Sequence, residues 1–167
     1  IPAFLDDPSP LVKLAAVHVI VTARIYERPL HQTQKLIDVA FAAPDTQLHD
    51  AAIDAAIETD EGKLIDIAAA DYKKMMPEYL ADKNAKGTLL ERNLSSVCKI
   101  IAHCKSDAVL NEMLADIQKL SLDSILVGDI ADALGAAGNK SAIPTLEKML
   151  KTCQATGAKF LIAMASM

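Results

Sequence analysis

Four residues near the end of the chain, Gly135, Gly138, Lys140 and Ser141, are of the types that cradle a phosphate. A Walker-type loop needs Gly, four residues, Gly, then Lys and Ser or Thr, directly after a buried strand. Backbone N–H groups then line the phosphates and the lysine reaches them. Here only Ala136 and Ala137 separate the glycines, and Asn139 stands before Lys140. The preceding Ile125, Leu126, Ile130, Ala133 and Leu134 are spaced as on a helix. The segment therefore reads as a bend between two helices. Gly138 takes the C′ position of one, Asn139 or Ser141 caps the next, and Pro144 falls in its first turn.

No other constellation points to catalysis. The histidines His18, His31, His49 and His103 are scattered. His18 lies in an apolar stretch and reads as a hydrogen-bonded core or boundary residue. His103 neighbours Cys104, but adjacent side chains diverge on a helix, and zinc wants four converging ligands at short paired spacings. Cys98, Cys104 and Cys153 show no CxxC spacing and read as small buried hydrophobes in a reducing, cytoplasmic compartment. Ser95 and Ser96 have no local base. The chain thus reads as non-enzymatic, with no catalytic, metal or cofactor site assigned.

The elements that would carry any site are helical. Hydrophobic residues make up 51% of the 167, but aromatics only 4%, so the apolar content is Ala, Leu and Ile, which suits close-packed helices. Alternating β-branched runs are lacking, which argues against strands. No uncharged apolar run reaches the roughly 18 residues of a membrane span. The spacing predicts helices over 9–26, 30–43, 46–58, 60–76, 87–104, 106–119, 123–137 and 139–152, and a last one from about 155 onward. That last stretch, "GAKFLIAMASM", makes no polar end cap, so the chain is expected to continue beyond it or to pack this helix against something.

The pattern also repeats. "KLIDVA" at 35–40 returns as "KLIDIA" at 63–68. The first helix of each pair carries an apolar frame: Leu11, Ala15, Val19; Leu48, Ala52, Ala56; Leu90, Leu94, Val97; and Leu126, Ile130, Leu134. The anchors at 11, 48, 90 and 126 lie 37, 42 and 36 residues apart. Second helices show Leu110, Met113, Ile117 and Ile143, Leu146, Leu150. A two-helix period of this size resembles the HEAT-like (armadillo-type) repeat family, best at "DDPSPLVKLAAVHVI" (6–20) and "GDIADALGAAGNKSAIPTLEKML" (128–150). Residues 77–87 depart from it as an irregular connection, and the 87–104 helix lacks the Gly turn. The resemblance implies an all-α fold in one domain over 1–167: an α-solenoid of about four stacked antiparallel helix pairs plus a terminal helix. A non-repeating helical bundle is the alternative.

Charge narrows the partner. Residues 1–84 hold 8 Lys/Arg against 14 Asp/Glu, and 85–167 hold 9 against 8, so the overall −5 sits in the first half. From 45 to 61 there are six acids and no Lys or Arg. Asp50, Asp54 and Glu58 recur at i, i+4, i+8 and share one helix face, a repulsion that a basic partner would relieve. Phosphate binding would demand clustered Lys/Arg and stacking aromatics, so nucleic acid is not expected. The resemblance implies a surface for a protein or peptide. Its outward positions are Lys35, Asp38, Lys63, Asp66, Glu112 and Lys148, beside the acidic Asp50, Asp54 and Glu58. The family also includes proteins that handle tetrapyrrole cofactors, so an enzyme-associated or lyase-like unit is the alternative. An exposed Cys98 or Cys104 would favour it.

Overall fold

The structure is a computed structural model that describes residues 2–25, 32–59, 62–107, 109–122 and 124–152. Among these the chain is all-α. A 3-10 turn over Pro2–Asp6 precedes α1 (Pro10–Ile25), α2 (Thr33–Ala42), α3 (Thr46–Glu58) and α4 (Leu64–Ala81). Then come α5 (Leu89–Cys104), α6 (Leu110–Ile117), α7 (Ile125–Ala136), a 3-10 turn at Lys140–Ala142 and α8 (Ile143–Thr152). The helix expected from about 155 lies outside the described residues.

The backbone clusters into two compact units, Ile1–Ile67 and Ala68–Met167. In the first, α3 packs on both α1 and α2, and the opening 3-10 turn lies against α1. Asp45 starts α3 by accepting the Leu48 N–H at 2.8 Å, a side-chain N-cap. Leu36, Ile37, Val39 and Ala40 of α2 and Leu48, Ala52, Ile53 and Ala56 of α3 are buried. Within that core the His49 ring donates from Nδ1 to the Ala40 carbonyl, 2.9 Å away.

In the second unit, α7 packs on α5 and α6. Leu94, Val97, Ile101, Leu126, Ile130 and Leu134 are shut off from solvent completely, and Met113 and Ile117 complete the core. The glycines lie at the end of α7. Gly138 stands at φ +68°, its N–H bonded to Gly135 and the Asn139 N–H to Leu134. This pair of bonds is the Schellman closure, which needs a left-handed residue at C′. Asn139 Oδ1 then accepts the Ser141 N–H at 3.1 Å to open the next turn. The segment is a helix-to-helix bend.

Expectations for two helices are corrected. The fourth helix was expected to end at 76, with 77–87 an irregular connection, and a proline at 77 lacks an N–H and crowds the preceding turn. Instead α4 runs through Pro77 to Ala81. Burial of Met76 and Tyr79 on either side of the exposed proline holds the helix on course. At the end of α5, Lys105 adopts φ +50° and does what glycine does at Gly138. The largest correction concerns α1. Leu11, Ala15 and Val19 were placed in the shared core frame, but Leu11 is 77% and Val19 46% exposed, and Ala15 is exposed as well. α1 buries Ala16, Val17 and Ile20 instead. With apolar residues nearly all round this helix, periodicity does not mark which side meets the core.

Candidate interaction site

The misplaced stripe forms half of a site. Pro10 opens α1 at a first-turn position where a missing N–H costs nothing, and Leu11, Ala15 and Val19 follow at i, i+4, i+8. Phe4, from the opening 3-10 turn, stands beside them at 56% exposure. Together with Val12 and Ala16 they line an open depression of about 420 Å³, almost wholly apolar.

The other half is acidic. α1 and α3 leave between them an open groove of about 570 Å³. Val17, His18, Val21 and Thr22 line one side; Ala51, Asp54, Ala55 and Glu58 line the other. His18 is exposed here, not the core or boundary residue expected. It lies i+3 from Ala15 and i+7 from Leu11, and Thr22 lies i+7 from Ala15. The apolar stripe and the acidic groove therefore share one edge along His18 and Thr22. Asp50, one turn before Asp54, is exposed on the same face of α3.

The remaining predicted positions scatter. Lys35 is half-buried and ion-paired with Asp6, so it serves the first unit internally. Asp38 is exposed and accepts from the Gln34 amide at 2.9 Å. Lys63 and Asp66 are exposed around the start of α4. In the second unit, Glu112 pairs with Lys73 at 3.3 Å, and Lys148 lines a separate depression with Ile117, Leu120 and Pro144. Of the predicted set, only Asp50, Asp54 and Glu58 adjoin the groove. Phe4, Leu11, Val19 and His18 belong to the site and were missed. The excess of apolar residues on α1 beyond what one core-facing stripe needs was the available signal.

The second unit holds the polar cluster most like an active centre, and it is closed. Glu91 Oε1 accepts from the Tyr79 hydroxyl at 2.7 Å and from Ser124 Oγ at 3.0 Å; its Oε2 accepts the Gly87 N–H at 2.6 Å. Ser124 Oγ in turn accepts the Leu126 N–H at 3.2 Å and so caps α7. Tyr79, Glu91 and Ser124 are all buried, so no substrate reaches this serine. The cluster ties α4, the 82–88 connection and the starts of α5 and α7 together.

Cys98 is fully buried, and burial, with Asp129 nearby, pushes its thiol well above the usual range. A neutral enclosed thiol is neither a nucleophile nor a ligand. Burial also raises the Asp129 carboxyl, against a lowering hydrogen bond from Ser95. Cys98 is a free thiol, and Cys104 is half-buried. Among the described residues no three His, Cys, Asp or Glu side chains converge on a metal position, and no helix is long and apolar enough to cross a membrane. His31 and Cys153 lie outside the described residues. No protein-family model matches the chain, and no curated protein or solved structure matches it significantly.

Proposed function

We propose that this chain is a non-enzymatic interaction or scaffold module that binds a protein or peptide on its helical surface, through the face shared by α1 and α3. The carrying observation is the exposed apolar stripe of Phe4, Leu11, Ala15 and Val19. Exposed apolar patches of this kind, rimmed by polar groups, mark interaction sites. The proposal includes HEAT-like stacking of the helix pairs. Contacts of α1 with α3 and of α5 with α7, each joining first helices of successive pairs, support it. The free thiol of buried Cys98 supports a reducing, cytoplasmic setting. An exposed Cys98 or Cys104 would favour the tetrapyrrole-handling alternative; Cys98 is buried, which favours the module, while Cys104 is half-buried.

Selection of displayed random peptides against the folded chain tests the reading, with Leu11→Asp as the counter-target. Leu11 is exposed in the first turn of α1, where an acid is well tolerated, so the variant keeps its fold. Enriched peptides should lose at least about tenfold in affinity for the variant, a loss near 1.4 kcal/mol. Enrichment that ignores Leu11→Asp, or none at all, sinks the proposal. Thiol labelling of the folded chain addresses the alternative. Cys98 should stay unreacted until denaturant is added.

A further inference from the structure

The apolar stripe and the acidic groove meet along one edge of α1, and from this we infer that the face receives a basic amphipathic helix of a partner protein. Its apolar side lies on Phe4, Leu11 and Val19, and its lysine- or arginine-bearing flank lies over Asp54 and Glu58. This rests on the interaction-module reading and names the class of partner.

The dimensions suit a helix. Leu11 to Val19 spans about 12 Å, roughly two turns, and helix-in-groove recognition uses anchors at this spacing. Ala15 and Ala16 leave a hollow between the larger Leu11 and Val19 that accepts an anchor side chain.

The register suits one too. Leu48, Ala52 and Ala56 on α3, and Leu126, Ile130 and Leu134 on α7, occupy the corresponding frame and are buried in helix packing. In this chain, that frame is one helices cover.

Charge selects the sign. Asp50, Asp54 and Glu58 are exposed along one face of α3, in a stretch, 45–61, that contains no Lys or Arg. A cationic flank meets a complementary field there, whereas an acidic one is repelled. The same face of a second copy presents Leu11, Val12, Ala15, His18, Val19 and Thr22, and the exposed cation of that helix, Arg24, stands only in its last turn, against three acids. A cationic partner is therefore favoured over self-association.

Fluorescence anisotropy with three labelled synthetic peptides and the 167-residue chain tests this. One peptide carries a Leu stripe at i, i+4, i+7 with a Lys flank; the second has the same stripe with a Glu flank; the third scrambles the first. The Lys-flanked peptide should bind at least tenfold more tightly than either other, and weaken with added salt. Leu11→Asp should cost it at least tenfold. The combined Asp50→Asn, Asp54→Asn and Glu58→Gln variant should weaken it severalfold and flatten its salt dependence.

Equal binding of the Lys- and Glu-flanked peptides overturns the inference, as does binding of the scrambled one. A concentration-dependent dimer in sedimentation that Leu11→Asp abolishes also overturns it, by assigning the face to a second copy. Selection ligands that depend on Leu11 but are neither basic nor helical defeat this inference and leave the module reading standing. The absence of any Leu11-dependent ligand defeats both.

Discussion

α1 and α7 carry the same pattern and meet opposite fates. Leu11, Ala15 and Val19 recur as Leu126, Ile130 and Leu134, with apolar residues at i, i+4, i+8 in each. On α7 the three are shut off from solvent, because α5 and α6 both pack against that helix. On α1 they are exposed, because α3 takes the flank bearing Val17 and Val21 and leaves the stripe outside. The pattern therefore encodes a face suited to packing, and a neighbour decides whether it becomes core. Exposed apolar area in the core register, next to acids that no lysine or arginine interrupts, is what separates the candidate site from ordinary surface.

Truncating matched leucines gives the sharpest measure of this difference. Leu126→Ala removes a fully buried side chain and leaves a cavity, which should cost about 2–5 kcal/mol. Leu11→Ala, at the corresponding anchor, should fall within about 0.5 kcal/mol of the parent because solvent already surrounds it. Urea melts of both variants check the pair. A loss above about 2 kcal/mol for Leu11→Ala would show the stripe covered in solution and would remove the site.

The next effect lies at the end of the covered helix. Gly138 closes α7 at φ +68°, where a side chain costs about 1–2 kcal/mol and β-branching more. Apart from its chain neighbours, no heavy atom lies within 4 Å of the position an added Cβ would take, so backbone strain dominates the cost. Gly138→Val should therefore destabilise by at least about 1 kcal/mol, whereas exposed Lys140→Ala should stay within about 0.5 kcal/mol. Phosphate should leave both melting temperatures unchanged. A neutral Gly138→Val would undo the Schellman assignment of this bend.

The legible parts of the fold were those fixed by local chemistry. The Gly138 bend and the α3 and α7 stripes were readable because turn residues and the 3.6 period act within a few positions. The fourth helix passing Pro77 was not, since its path is set by Tyr79 reaching Glu91, a bond across twelve residues. Lys105 at positive φ was equally hidden, because lysine carries no turn signal. Of the site, the acidic half was legible and the apolar half was not. Asp50, Asp54 and Glu58 announce exposure by being charged, whereas Leu11 and Val19 have the same composition whether covered or bare.

The smallest expected effect tests the acidic half in the free protein. Asp50–Asp54 and Asp54–Glu58 are like-charged pairs at i, i+4, each costing a helix about 0.2–0.5 kcal/mol. Changing them to Asn, Asn and Gln keeps size and removes the repulsion. Glu58 also stands in the last turn of α3, where the helix dipole disfavours an anion, so its neutralisation acts in the same direction. The triple variant should thus be more stable by about 0.5 kcal/mol at low salt, with the gain shrinking as ionic strength screens the pairs. Melts at about 10 mM and 500 mM salt resolve it, since the Debye length falls from about 30 Å to a few ångström over that range. A stabilised variant that binds the Lys-flanked peptide less well would mean the acids are kept against their own cost to folding. A destabilised one would give them a structural role in α3 and take the charge argument away from the groove.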